Sequence, residues 1–147
     1  MSDINSSRLY SLLKELEVPF LDIRSLQNLI LRMEESFNAL DHSENKIISA
    51  AWTGFDKGNG SDQMGILFLR QFGLAFIGVN PKEQKLSSFE VPYTLISGIK
   101  LQKELLTDLT QAIIIKTPQD KPYIFKGMKG MIPSSFMNCM RKIELIE

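Results

Sequence analysis

Met64–Phe72 (MGILFLRQF), then Gly73, then Leu74–Val79 (LAFIGV) decide the fold. Two apolar runs of strand length meet at one glycine, a residue that takes the positive-φ backbone of a tight reversal, so the stretch predicts a hairpin. Further short apolar runs lie on either side: Ile47–Phe55 before it, and Leu86–Val91, Ile96–Leu101, Leu109–Thr117 and Tyr123–Met128 after it. The breaks between them are turn-like. Asp56–Asp62 holds Gly58, Asn59 and Gly60, Asn80–Gln84 holds Pro81, and Pro118 and Pro122 bracket the last break. Pro92 cannot donate to a ladder, which marks a strand end or an edge. In the first run Ile48, Ala50 and Trp52 alternate onto one face. Strands at such intervals predict a small antiparallel sandwich or barrel.

The last stretch changes period. Pro133 suits a first helical turn, and Phe136, Met140 and Ile143, with Cys139 and Ile146, then form one apolar stripe. The expectation is a helix that plugs the open end of the barrel.

The N-terminal third is helical in pattern. Leu9, Leu12, Leu13 and Leu16 follow one helical face, with Ser6 or Ser7 as the cap and Pro19 as the stop. Asp22 is the expected cap of a second helix. There Ile23, Leu26, Ile30, Met33, Phe37 and Leu40 alternate by three and four, the spacing of a knobs-into-holes seam. The seam spans fewer than three heptads, which leaves two destinations: the neighbouring helix or sheet, or a second copy of the chain. Asp41–Asn45 is a polar linker, so the expected division is 1–45 helical and 46–147 barrel.

Composition narrows the function. With 147 residues and 44% hydrophobic side chains, the chain is of single-domain size and can bury a core. Met1–Ser7 is polar, unlike a signal peptide, and no apolar run reaches the ~20 residues of a membrane span. The single cysteine forms no internal disulfide, which predicts a cytoplasmic setting. Residues 1–45 carry a net charge of −4 and the remainder +4. That split fits attraction within the chain or a basic face for an anionic partner.

Catalytic signals are missing. His42 is the one histidine and lies in the linker, so neither a zinc site nor a Ser-His-Asp or Cys-His arrangement is expected. Cys139 sits on the last apolar stripe as a small hydrophobe. Asp56–Asp62 lacks the lysine-serine end of a P-loop and the ligand order of a calcium loop. Glu34 and Glu35 fall on an outer helical face, where solvent accounts for them. Phe68, Phe72, Phe76, Phe89 and Phe125 space out as core residues would, which argues against a nucleic-acid surface. The expectation is therefore no enzyme, no cofactor, no metal and no nucleic acid. Lys116, Lys121, Lys126, Lys129, Arg141 and Lys142 read first as a solvated rim around the last hairpin, because lysines usually stay exposed, and otherwise as the best candidate for an anionic partner.

The order of elements, seven strands and a closing helix, is that of a pleckstrin-homology-like barrel. Gly65-Ile66-Leu67-Phe68-Leu69, Gly73-Leu74-Ala75-Phe76-Ile77, Phe89-Glu90-Val91-Pro92-Tyr93, Ile96-Ser97-Gly98-Ile99 and Tyr123-Ile124-Phe125 together resemble bacterial PH-like domains of the YokE-like type, over about residues 46–147. The resemblance implies an α+β fold with the N-terminal helices outside the family pattern. It also implies a non-catalytic module that binds protein, with a peripheral anionic-membrane module as the rival. Phosphoinositide-binding PH domains carry basic residues around the first hairpin, where this chain has Lys57 and Arg70. The candidate binding positions are Lys57, Asn59, Arg70, Lys121, Lys126 and Lys129. The candidate self-association positions are the six residues of the helix-two seam. At ~3.3 Å per residue, Met64 to Arg70 alone spans about 20 Å, too far for Lys57 and Arg70 to share one head group.

Overall fold

The computed structural model describes residues 4–41, 44–56, 62–103, 110–118, 121–127 and 132–142. Helix α1 spans Arg8–Glu15, and its cap is Ser7, whose Oγ accepts from the Tyr10 N–H at 3.0 Å. Its end is a Schellman motif. The Val18 N–H donates to the Leu13 carbonyl at 3.0 Å and the Glu17 N–H to Lys14 at 3.1 Å, with Glu17 at φ 59° where glycine is usual. Val18 and Leu13 are both buried, the apolar contact that accompanies this motif.

Helix α2 spans Arg24–Leu40. Its cap is Ile23, not the expected Asp22. The Ile23 N–H bonds back to the Phe20 carbonyl at 3.3 Å, and this turn carries the cap one position past Asp22.

Seven strands follow: β1 (Ile47–Asp56), β2 (Gln63–Arg70), β3 (Gly73–Val79), β4 (Leu86–Pro92), β5 (Gly98–Lys103), β6 (Thr110–Lys116) and β7 (Tyr123–Lys126). They form one antiparallel sheet in the order β4-β3-β2-β1-β7-β6-β5. The hairpin read from Met64–Val79 is present, with Leu69 opposite Leu74. Its turn is Gln71-Phe72, so Gly73 opens β3. A short 3-10 turn, Tyr93–Leu95, occupies the approach to β5, which starts at Gly98 and not at Ile96.

The sheet curls on itself. Strands β4 and β7 lie four places apart, about 19 Å in a flat sheet, yet the rings of Phe89 and Tyr123 have centroids 5.3 Å apart. Among the described residues β4 and β5 remain edges, so the expected barrel is open along that line. Curling needs close strand approach. A Cβ on Gly65 would stand 1.9 Å from the Ile77 carbonyl oxygen, so only glycine fits there.

Both faces of the β1–β3 part of the sheet are covered. Inside, Ala51, Phe55, Leu67, Leu69, Leu74, Phe76 and Phe125 pack with Phe136, Met137 and Met140 of helix α3 (Ser134–Arg141). The plug is thus α3. Pro133 stands at its cap, one position before the expected first turn, and its carbonyl accepts the Met137 N–H at 3.2 Å. Ile143 and Ile146 lie outside the described residues. Outside, Ala50, Trp52, Ile66, Phe68, Ala75 and Ile77 pack beneath α1 and α2. Double coverage explains why β2 and β3 read as continuous apolar runs and not as alternation. Ile48 departs from the Ala50–Trp52 face because the β1–β2 register shifts between Ile47 and Ser49, and it is 51% exposed.

In the α2 seam, Ile30, Met33, Phe37 and Leu40 are buried against α1 and the sheet, with Phe37 and Phe68 ring centroids 6.1 Å apart. Leu26 is half-buried and Ile23 is 43% exposed. One apolar cluster therefore spans the 45/46 connection, joining the helical pair to β1–β3.

Candidate functional site

Arg70 ends β2 and is 2% exposed. Its Nη2 donates to the Leu40 carbonyl at 2.8 Å and its Nε to the Asn45 carbonyl at 3.2 Å, while Nη1 pairs with the Glu90 carboxylate on β4. All three nitrogens are engaged within the chain. Arg70 thus ties the last turn of α2 and the linker to the sheet, a placement its sequence position beside a hairpin did not signal.

The other candidate positions scatter. Lys57, Asn59 and Lys129 lie outside the described residues, as does His42. Lys121 is exposed. Lys126 pairs with Asp56 across the β1–β7 ladder at 3.0 Å, and this hydrogen bond raises the Lys126 pKa. The structure brings none of these three described cations together around a shared partner.

Glu34 corrects another expectation. It faces α1 and not solvent. Its carboxylate accepts from the Ser7 hydroxyl at 2.6 Å, the Arg8 N–H at 2.9 Å and the Leu9 N–H at 3.2 Å. An acidic group there satisfies orphan donors and complements the helix dipole. Next to it, Arg8 pairs with Asp41. An open groove of about 810 Å³ runs along this junction, with Arg8 and Lys46 set against Glu15 and Asp41.

Beyond Arg70 the Phe72 carbonyl accepts the Tyr93 N–H at 3.1 Å, and the Tyr93 hydroxyl donates to the Arg70 carbonyl at 2.5 Å. These two bonds pin the 3-10 turn against the hairpin. Burial pushes the Tyr93 hydroxyl up to about pKa 12. Between this turn, the ends of β1 and β2, and α3 lies a cleft of about 320 Å³, lined by Ile48, Leu69, Arg70, Gln71, Tyr93, Cys139 and Lys142. A smaller slot of about 160 Å³ on the other side of the turn holds Glu90, Thr94, Leu95 and Thr117. Phe72, at 58% exposure, follows Gln71 in the hairpin turn, and Leu95, at 57%, closes the 3-10 turn. Phe72 is therefore not the core residue its spacing predicted. It falls in the turn, where strand alternation no longer sets its direction.

Sequence reasoning missed Ile48, Phe72, Tyr93 and Leu95 as one surface. The available signal was Phe72 beside Gly73: an aromatic at a hairpin turn has no opposite strand to cover it. Among the described residues no group of three or more histidine, cysteine, aspartate or glutamate side chains is placed to hold a metal ion. No helix among them is long and apolar enough to cross a membrane.

No protein-family model matches the chain, and no curated protein matches its sequence. Solved structures do match. The C-terminal domain of an unknown protein from Leishmania infantum superposes with a TM-score of 0.56 at 17% identity, over 77% of this chain and 95% of that one. The Vps36 N-terminal PH domain superposes with a TM-score of 0.53 at 13% identity, over 71% of this chain and 83% of that one. At such identities the likeness is one of fold. The chain has an α+β PH-like fold preceded by two helices.

Proposed function

We propose that this chain is a non-catalytic binding module whose partner is a protein, held at the end of the sheet where α3, the hairpin turn and the 3-10 turn meet. One observation carries the reading. Of the five large apolar side chains exposed among the described residues, three (Ile48, Phe72 and Leu95) lie in or beside the residues that form the 320 Å³ cleft and the adjoining slot. Singly exposed apolar residues are ordinary, but a concentration at one end marks an interaction surface.

The basic positions favour this reading over the membrane rival. A head group needs several converging donors, whereas Arg70 is spent internally and Lys126 is paired with Asp56. Self-association through the α2 seam would require Ile30, Met33, Phe37 and Leu40 to leave the core they fill. Within the PH-like fold, the bacterial YokE-like type is our proposal on the strength of the segments Gly65–Leu69, Gly73–Ile77, Phe89–Tyr93, Ile96–Ile99 and Tyr123–Phe125. A cytoplasmic setting rests on the single cysteine.

The test is quantitative affinity purification with the full chain and with a variant carrying Ile48→Ser, Phe72→Ser and Leu95→Ser. A protein recovered by the parent and lost by the variant is the expected result. Liposome co-sedimentation at physiological salt is run in parallel. Binding to anionic vesicles that disappears in Lys121→Ala/Lys126→Ala, with no variant-sensitive protein, replaces this reading by the membrane one.

A further inference from the structure

The cleft beside Tyr93 differs in charge from the slot and from the groove by α1. Among the described residues its lining holds two cations, Arg70 and Lys142, and no carboxylate. The slot across the 3-10 turn, among the described residues, holds Glu90 and no cation, and the groove by α1 mixes both signs. The counter-ion of Arg70 is Glu90, which lines the slot and not the cleft. Lys142 is exposed at the C-terminal end of α3. Glu90 balances the Arg70 charge at contact distance, so Lys142 supplies the charge of the cleft, of which the α3 dipole offsets about half a unit.

We propose that this cleft binds an acidic–apolar segment of a partner protein, an apolar side chain resting on Leu69, Ile48 and Tyr93 while an adjacent carboxylate meets Lys142. The assignment rests on the protein-binding reading above and adds the chemistry of the partner. Arg70 contributes neither net charge nor a hydrogen bond to the partner, because its guanidinium is buried and held by the Leu40 and Asn45 carbonyls and by Glu90. That is also why a multiply charged phosphate fits poorly: one exposed lysine does not supply the converging donors it needs. A single carboxylate needs only one partner. A cleft of about 320 Å³ is at the small end for a ligand pocket and suits one anchoring side chain, with Phe72 and Ile48 extending the contact along the segment.

The experiment uses the full chain, isotopically labelled for amide NMR, and three blocked five-residue peptides. Each has one central phenylalanine, followed by aspartate and glutamate, by asparagine and glutamine, or by two lysines. The acidic peptide is expected to shift the Gln71, Tyr93, Cys139 and Lys142 amides, with affinity about threefold to tenfold above the neutral one and a gain that shrinks with salt. In Lys142→Glu the order reverses, so the basic peptide binds better than the acidic one. The exposed position of Lys142 keeps that variant folded, checked by unchanged shifts in β2 and β3.

Equal affinity of the acidic and neutral peptides at the cleft overturns the charge assignment while the protein-binding reading stands. Shifts elsewhere, no shifts at all, or anionic-vesicle binding lost in Lys142→Glu also overturn it. No shifts, together with no partner sensitive to the Ile48, Phe72 and Leu95 changes, removes both readings.

Discussion

Arg70 Nη2 donates to the carbonyl of Leu40 at 2.8 Å, so a side chain from the sheet closes the last turn of α2. A cation at a helix C-terminus satisfies an orphan carbonyl and complements the dipole. The same guanidinium holds Glu90 on β4 and the carbonyl of Asn45 in the linker. Three parts of the chain thus depend on one buried group.

Replacing it should be costly. Arg70→Met leaves the Leu40 and Asn45 carbonyls and the Glu90 carboxylate without their donor, and removing one partner of a buried pair costs about 3–5 kcal/mol. Half-exposed Glu90 can rehydrate, which places the expected loss near ~3 kcal/mol. Urea unfolding measures it. A melting curve that matches the parent would mean that Arg70 is a surface residue free for ligand.

The two neighbouring glutamates of α2 should behave differently. Glu34→Ala removes the acceptor of two backbone donors at the start of α1 and should destabilise by about 1–2 kcal/mol. Glu35→Ala, on the exposed side, should stay within about 0.5 kcal/mol. Equal effects of the two changes in thermal or urea unfolding would refute the capping role.

Glu17 holds the positive-φ position of the Schellman motif at the end of α1. Glycine carries no Cβ penalty in that conformation, so Glu17→Gly should stabilise by about 0.5–1 kcal/mol. The midpoint of urea unfolding should rise. A fall would show that α1 does not end in this geometry.

Tyr93 sets an alkaline limit. Its hydroxyl is raised from 10.0 to about 12 by burial, so the folded chain keeps a proton that the unfolded chain releases. The folded state then binds more protons between these values, and stability falls as pH rises through them. Below pH 10 the contribution is whole. The side chain is only partly buried, which reduces the expected effect to about 1 kcal/mol. Unfolding free energies taken on either side of that window should differ in the parent, and less so in Tyr93→Phe. An identical pH slope in the two proteins would exclude Tyr93 as the cause.

Removing residues 1–42 deletes α1 and α2 and uncovers Ala50, Trp52, Ile66, Phe68, Ala75 and Ile77 together. A contiguous apolar face of this kind drives association. The truncated chain should aggregate or change its mass by light scattering. A soluble, stable fragment with the assembly state of the full chain would show that the helical pair is dispensable.

The local physics of the chain was legible before any tertiary contact. Apolar runs broken at Asp56–Asp62, Gly73 and Asn80–Gln84 mark β1 to β4, because strand length and turn chemistry are properties of neighbouring residues. Leu9 and Leu13 on α1, and Ile30, Met33, Phe37 and Leu40 on α2, follow helical spacing into the core for the same reason. The stripe Phe136–Met140 marks α3 as the plug. What that spacing leaves open is the surface each stripe meets. The α2 seam suits a second copy as well as a sheet, and only the docked structure puts it on Phe68 and Ile77.

Charged and turn residues were read least well. Arg70 and Glu34 are hydrophilic in any local window, and their partners, Leu40, Glu90, Ser7 and Leu9, lie 20 to 30 residues away. Phe72 has the spacing of a core aromatic, and it is exposed because β2 ends at Arg70. The cleft joins β1, β2, the 3-10 turn and α3, four segments separated in the chain and brought together by the curl of the sheet. Periodicity and turn composition by themselves determined the elements and their apolar faces. Tertiary structure decided which polar groups were buried, which apolar ones were left outside, and where a concavity formed, because those outcomes depend on long-range packing that no short window of sequence contains.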